Sequence, residues 1–319
     1  MFRPIRAVED VSLKIMPGEA FGFLGHNGAG KTTTIKCIAG LIHTSGGQVL
    51  LNGVPLKKPE QRKEIGYLPE HPYFYDHLKV GETLSFLAGL AGISGKQRAK
   101  RVKETLEQVG LSERVNAPVR TLSKGLQQRL GLAQAIIHQP SLLLLDEPFS
   151  GLDPIGRIEV RELILSLRKK GTTIFVSSHI LSDVQDICDR VSIMTQGRLT
   201  KVFNLDDTSS LFGQRYVIEV IDLEKDLLAD ANSIDEKHTA SGTIFHAEYQ
   251  DRTSAEDALK RVVASGATLR SYNHVAPSLE EVFMITTLEA ERTGDCELSP
   301  SHISSEPENG TPTSTNEVS

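Results

Sequence analysis

The sequence predicts an α/β fold: a mainly parallel sheet with helices on both faces, then a smaller α+β domain and a coreless tail. Three observations carry this. Short apolar runs of strand length recur between helical stretches, an alternation that suits a parallel sheet covered on both faces. Between about residues 78 and 138 helical patterns follow one another with no clear strand. After about residue 205 the strand and helix pattern restarts, and from Arg292 onward apolar residues nearly vanish.

"AFGFLG" (20–25), "SLLLLD" (141–146), "TTIFVSS" (172–178) and "RVSIMTQG" (190–197) read as strands buried on both faces, because apolar residues occupy both parities. Helical patterns at about 30–41, 156–170 and 180–188 lie after them. "VSLKIM" (11–16) and "GQVLLNG" (47–53) alternate apolar and polar, which predicts half-exposed antiparallel strands beside the main sheet. A helical insert at about 75–138 comprises 83–91, 95–109 and "LSKGLQQRLGLAQAIIHQP" (122–140). In the last, Leu126, Leu130, Ala133 and Ile137 form one apolar stripe. The first domain is thus 1–205 and the second 206–290. The second is expected to hold strands at 215–221, 243–249 and 268–273, a helix at 254–265 and a last helix at 278–290. Ser254 is the expected cap of the 254–265 helix, with Asp257 at its third position. Residues 291–319 predict a disordered acidic tail.

Formal net charge is -6 over 319 residues. The stretch 292–319 carries five acids against Arg292, so the remainder sits near -2. That excludes the basic excess of a nucleic-acid binder, and no nucleic-acid partner is expected. The pairs Lys57-Lys58 and Lys169-Lys170 read as solvated faces. Cys37, Cys188 and Cys296 are far apart, with neither zinc nor disulfide spacing, and read as reduced thiols of a cytosolic protein. No signal peptide opens the chain, and no apolar run approaches the roughly 20 residues of a membrane span. Membrane association is expected only through a partner.

Chemistry concentrates at three strand ends. "GHNGAGKTT" runs from Gly25 through His26, Asn27, Gly28, Ala29, Gly30, Lys31 and Thr32 to Thr33, after a predicted strand and into a predicted helix. It matches G-x-x-x-x-G-K-[ST], the loop whose backbone N–H groups wrap phosphates at a helix N-terminus. Lys31 would reach the β- and γ-phosphates, and the Thr32 hydroxyl would bind Mg²⁺. "LLLLDEP" (142–148) sets Asp146 and Glu147 at the C-terminal end of a buried strand, where ligands of open α/β sheets bind. Asp146 would hold Mg²⁺ through water, and Glu147 would take a proton from the attacking water. "VSSHI" (176–180) brings His179 to the same edge, either as a structural histidine or as a contact to the γ-phosphate or the water.

Taken in order, these pieces resemble the ATP-binding-cassette (ABC) ATPases over about residues 2–205. The remaining motifs are "YLPE" (67–70) as the Q-loop, "LSKGL" (122–126) as the signature and "SGLD" (150–153) as the D-loop. The second domain, with "PSLEEVF" (277–283), resembles an appendage of one exporter branch whose ATPase is encoded apart from its membrane subunit. The resemblance implies a P-loop NTPase domain with a parallel core, an antiparallel β subdomain and a helical subdomain. It implies an ATPase using ATP and Mg²⁺ to drive transport, most simply export, through a separate permease at the cytoplasmic face of the inner or plasma membrane. It also implies a head-to-tail dimer, with a second copy or a paralogous ATPase, that sandwiches two ATPs. Ser123, Gly125 and the N–H groups of the 124–138 helix would then serve the partner's γ-phosphate. Asp153 would link the two sites, and Glu70 would join Thr32 and Asp146 at the metal.

The chain departs from the family pattern in places. Glu70 stands where Gln is common, losing an amide donor and adding charge beside the triphosphate. Lys124 and Leu126 replace the Gly and Gln of "LSGGQ". Leu126 suits packing, whereas Lys124 either snorkels to solvent or adds charge near the partner's γ-phosphate. Family members usually carry another strand before "AVEDVSL" (7–13), ending at an aromatic that stacks on adenine. Here Phe2 is the only candidate for that stack, and the strand is expected to be missing, through a misplaced start or a shortened chain. Phe74, Tyr75 and Leu78 are candidate permease contacts, or else pack inside the helical insert. A soluble translation, resistance or repair ATPase is the alternative. It would usually have two phosphate loops in one chain or a long coiled coil before the signature. This chain has one loop and about 90 residues between Thr32 and Leu122. A regulatory module would be expected to lose Lys31, Glu147 or His179.

Overall fold

The computed structural model describes residues 6–205, 215–223, 225–239 and 242–275. The helix expected at 278–290, the tail at 291–319 and Phe2 lie outside the described residues.

The main sheet has six strands: β1 (Ala20–Leu24), β4 (Ile65–Leu68), β5 (Leu142–Asp146), β6 (Thr173–Ser178), β7 (Arg190–Thr195) and β8 (Arg198–Asn204). Their order is β4-β5-β6-β1-β7-β8, parallel except for β8. Successive side chains of a strand point to opposite faces, so a central strand must be apolar at both parities. Leu143 and Leu145 of β5, with Ile174 and Val176 of β6, join one core cluster, while Leu144 and Phe175 join the other. Phe21 stacks on Phe175 in that second cluster, with ring centroids 5.9 Å apart.

Helix α1 (Lys31–Ile38) contributes Ile35 to the second cluster. The first cluster takes Val80 and Leu84 from α2 (Val80–Leu90) and Leu106 from α3 (Gly95–Gln108). It also takes Leu130, Ala133 and the adjoining Ile137 from α4 (Lys124–Ile136), and Val160 and Ile164 from α5 (Pro154–Lys169). Leu181 and Val184 come from α6 (Leu181–Gln185). The stripe residues Leu130, Ala133 and Ile137 are thus buried together, with Leu126 half-buried against the same core.

Several expectations need correction. Residues 11–16 form no strand. Val11, Leu13 and Ile15 do pack against the core while Ser12, Lys14 and Met16 are exposed, but alternation reports burial, and a strand also needs a ladder partner. The 47–53 strand shrinks to β2 (Leu50–Leu51), which pairs with β3 (Val54–Pro55) around Asn52-Gly53 in a separate two-stranded sheet. Both turn residues have positive φ, 52° and 78°, as this hairpin type requires. The strand expected at 190–197 stops at Thr195, where Gln196-Gly197 (φ 50° and 83°) turns the chain into β8. Strand β4 escaped notice because it is only four residues long.

The later residues form a second sheet of order β10-β11-β9-β12, all antiparallel. Its strands are β9 (Arg215–Ile221), β10 (Ser233–Thr239), β11 (Gly242–Tyr249) and β12 (Thr268–Val275). Helix α7 (Arg252–Ala264) lays Ala255, Ala258 and Val262 against Ile218, Val220, Phe245 and Ala247, a cluster separate from the other two. The cap of α7 is Asp251 rather than Ser254: its carboxylate accepts from the Ser254 backbone N–H at 2.8 Å and from the Ser254 hydroxyl at 3.0 Å. Strand β10, "SIDEKHT", was not anticipated because it is a mostly exposed, polar edge.

Candidate functional site

Sheet register gathers the chemistry at one edge. Leu24 pairs with Ser178 and Asp146 with Ser177, so β1, β5 and β6 end level with one another. The loop 25–30 leaves β1 and enters α1, whose N-cap is Gly30 at φ 107°. A Cβ on Gly30 would stand 2.5 Å from the Ala7 carbonyl, so both conformation and space demand glycine. No side chain caps α1 and no acidic residue occupies its first turn, so its positive end is left to a ligand. His26, Asn27 and Gly28 are exposed around it, Ala29 is buried, and Thr33 is half-buried in the first turn.

Lys31 is 5% exposed, and its ammonium donates to the carbonyls of Gly25 at 2.7 Å and His26 at 3.2 Å. The same ammonium lies 3.3 Å from Glu147 Oε1 as an ion pair, and Oε1 accepts no hydrogen bond. Glu147 has a left-handed backbone, φ 47°, which turns its side chain away from the direction of Asp146. Its other oxygen, Oε2, receives His179 Nδ1 at 2.8 Å and the His179 backbone N–H at 3.3 Å. Sequence reasoning missed Ser177. Its hydroxyl donates to Asp146 Oδ1 at 2.8 Å and accepts from the Glu147 backbone N–H at 3.1 Å, so one group holds the Asp146 carboxylate and the Glu147 backbone. No spacing pattern marks such a serine; its place beside His179 at a buried strand end was the available signal.

Asp146 is 1% exposed, and the Thr32 hydroxyl donates to it at 3.1 Å. Burial raises its carboxyl above the ordinary range, opposed by the hydrogen bonds from Ser177 and Thr32; Glu147 and Glu70 push further upward. Half-buried Tyr67 has its phenol pushed up to about 12, by burial first and by Asp146 second, so it stays neutral there. Glu70 accepts from the Ser150 hydroxyl at 3.4 Å, tying the Q-loop to the D-loop. Asp183 is a second residue missed by sequence reasoning. It is a buried carboxylate on α6, 3.4 Å from Arg157 of α5, and is also raised chiefly by burial.

The fit to a magnesium triphosphate can be judged from these groups. Uncapped N–H groups and a buried lysine face the phosphate position, while Thr32 and Asp146 are adjacent oxygen donors of the kind a hard cation takes when waters and phosphates complete its shell. Among the described residues no three His, Cys, Asp or Glu gather into an all-protein metal cage. The residues present therefore fit Mg²⁺ held jointly with a nucleotide.

The signature residues stand apart. Ser123 is the N-cap of α4, its hydroxyl accepting from the Leu126 N–H at 3.4 Å, and Gly125 lies in the first turn. Among the described residues no hydrogen bond or ion pair joins either to the phosphate loop. Asp153 caps α5, accepting from the Gly156 N–H at 2.9 Å. The three permease candidates divide: Phe74 packs on the main core and Leu78 is half-buried, whereas Tyr75 is 60% exposed and meets the Phe86 ring edge-on.

Comparison with known proteins agrees with this geometry. A family profile described as "ABC transporter" matches residues 8–150. An uncharacterized ABC transporter ATP-binding protein of Synechocystis sp. is 39% identical over 289 residues, covering 89% of this chain and 79% of that protein. The bacitracin transport ATP-binding protein BcrA of Bacillus licheniformis is 42% identical, over 65% of this chain and 67% of its own. The linearmycin resistance ATP-binding protein LnrL of Bacillus subtilis is 31% identical, over 88% and 93% respectively. Among solved structures, an ATP-binding subunit of an ABC transporter superposes with TM-score 0.59 at 35% identity, over 65% of this chain and 87% of that one. A dimeric, post-hydrolysis ATP-binding cassette bound to ADP and Pi gives 0.58 at 25%, over 63% and 91%. The chain belongs to the family of ABC transporter ATP-binding proteins, and is an ATP-hydrolysing subunit of that kind.

Proposed function

We propose that this chain powers an exporter whose membrane-spanning part is a separate polypeptide, and that it works as a head-to-tail pair of copies at the cytoplasmic face of the membrane. The carrying observation is the arrangement of Lys31, Asp146, Glu147 and His179 around one strand edge. Two relatives named for bacitracin transport and linearmycin resistance favour export as the direction. No helix among the described residues is long and apolar enough to cross a membrane, in keeping with a partner that does.

The backbone N–H groups of 25–33 wrap the phosphates, and Lys31 leaves its carbonyl partners for the β- and γ-oxygens. Thr32, Asp146 and Glu70 hold Mg²⁺, which offsets phosphate charge when bound. The two oxygens of Glu147 have different duties. Oε2 is anchored by two N–H donors from His179, so Oε1, with no hydrogen bond, is the oxygen that takes the water proton. The water oxygen bonds to the γ-phosphorus as its bond to the β–γ bridging oxygen breaks. ADP departs with that oxygen, and the proton on Glu147 returns to the phosphate. Ser123 and Gly125 close on the γ-phosphate held by the facing copy, and the inserts carry the movement to the membrane partner.

Replacing Glu147 with Gln tests the assignment. It removes the base while keeping size and hydrogen bonding, so kcat should fall about 10²–10⁴-fold with nucleotide affinity retained. Wild-type turnover in the Gln variant would reject Glu147 as the base.

A further inference from the structure

The lysine inside the signature has a contact that the common glycine could not make. At Gly151 of the D-loop, φ is +65° and a Cβ would stand 3.1 Å from Lys124 Cδ and 2.8 Å from Cε, with Nζ nearer still. The Lys124 side chain therefore lies across the bare face of Gly151. Its ammonium has no acidic partner among the described residues, so packing and not an ion pair places it there. Two neighbouring contacts run the same way. A Cβ on Gly125 would meet Leu152 Cδ2 at 3.8 Å, and Arg129 of α4 pairs with Glu159 of α5. The D-loop is also tied to Glu70 through Ser150.

We infer that Lys124 is a positioning residue: its aliphatic stem latches the signature turn to the D-loop of the same chain, so that the two segments a chain offers to a facing copy move as one body. The inference rests on the head-to-tail reading above. Signature and D-loop would each act across the interface, the signature on one nucleotide and the D-loop between the two sites. A latch between them makes closure at one nucleotide felt at the other, and its loss should appear as lost coupling between sites.

Four variants of the full chain separate the possibilities, each assayed for ATP affinity, kcat and the Hill coefficient for ATP. Lys124→Gly removes the latch and should lower kcat several-fold and bring the Hill coefficient towards 1, with nucleotide affinity unchanged. Lys124→Met keeps the stem without the charge and should behave as wild type. Gly151→Ala evicts the stem and also strains a left-handed backbone, so it should be at least as impaired as Lys124→Gly, and adding Lys124→Gly to it should cost nothing further, because the one contact is already broken. A Lys124→Gly enzyme with wild-type kcat and Hill coefficient would overturn the latch. So would a Lys124→Met enzyme as impaired as the glycine variant, which would assign the effect to the cation. Ser123→Arg is the control for the reading beneath: if it leaves hydrolysis intact, the head-to-tail arrangement itself fails, whereas its loss of activity beside a silent Lys124→Gly rejects the latch alone.

Discussion

At the residue scale, the site holds its charges at a cost to the empty protein. Asp146 is buried, and its carboxyl is raised accordingly. Below the ordinary aspartate range it is protonated in folded and unfolded chains alike. As pH rises from that range to its raised value, the unfolded chain ionises first, so stability is lost across the window and stays lost at neutral pH. Asp146→Asn should therefore melt higher than wild type near pH 7, and in a pH series of thermal melts its advantage over wild type should grow as pH rises from the ordinary aspartate range, while hydrolysis disappears. Ser177→Ala should act in the opposite sense. It strands the buried Glu147 N–H and removes a donor from Asp146, at about 1–3 kcal/mol of stability by denaturant titration, and it lowers kcat as well. Glycines, a lysine and a threonine at fixed offsets made the phosphate loop legible in the sequence, since each is demanded by backbone or phosphate geometry. Ser177 and Asp183 had no such spacing, because what they do depends on strand register and helix packing between distant segments.

At the element scale, the buried strands were legible because burial on two faces forces runs such as "LLLLD" and "TIFVSS". What remained hidden was pairing. Residues 11–16 have the alternation of a strand without its ladder, and β10 has the ladder without the alternation. The one cap expected was misplaced by three residues, at Ser254 instead of Asp251, because two candidates compete there; Ser123 and Asp153 prove to cap α4 and α5, which was not anticipated. Asp251→Ala should cost about 1 kcal/mol, seen as faster amide exchange along 252–264 with the main sheet unaffected. Ser254→Ala should cost less, since it removes only the hydroxyl's bond to Asp251 and keeps the backbone N–H that the cap satisfies.

At the scale of the whole molecule, the proposed head-to-tail pairing divides each nucleotide site between two copies. The phosphate loop, the two carboxylates and His179 are assembled in one chain, whereas Ser123 is exposed and Gly125 half-buried at the start of α4, where the proposed pairing has them meet the nucleotide of a facing copy. The exposed ring of Tyr75 beside Phe86 is a candidate apolar contact for the proposed permease. Tyr75→Ala should abolish co-purification of the permease from membranes while leaving ATP hydrolysis by the free subunit unchanged; retained co-purification would move the docking surface elsewhere. The edge strand β10 bears on which assemblies are disfavoured. A sheet edge invites any passing strand to add to it, and with Asp235, Glu236 and Lys237 along it, a newcomer would have to strip water from three charges to pair. That discourages the second sheet from pairing with another copy of itself through this edge.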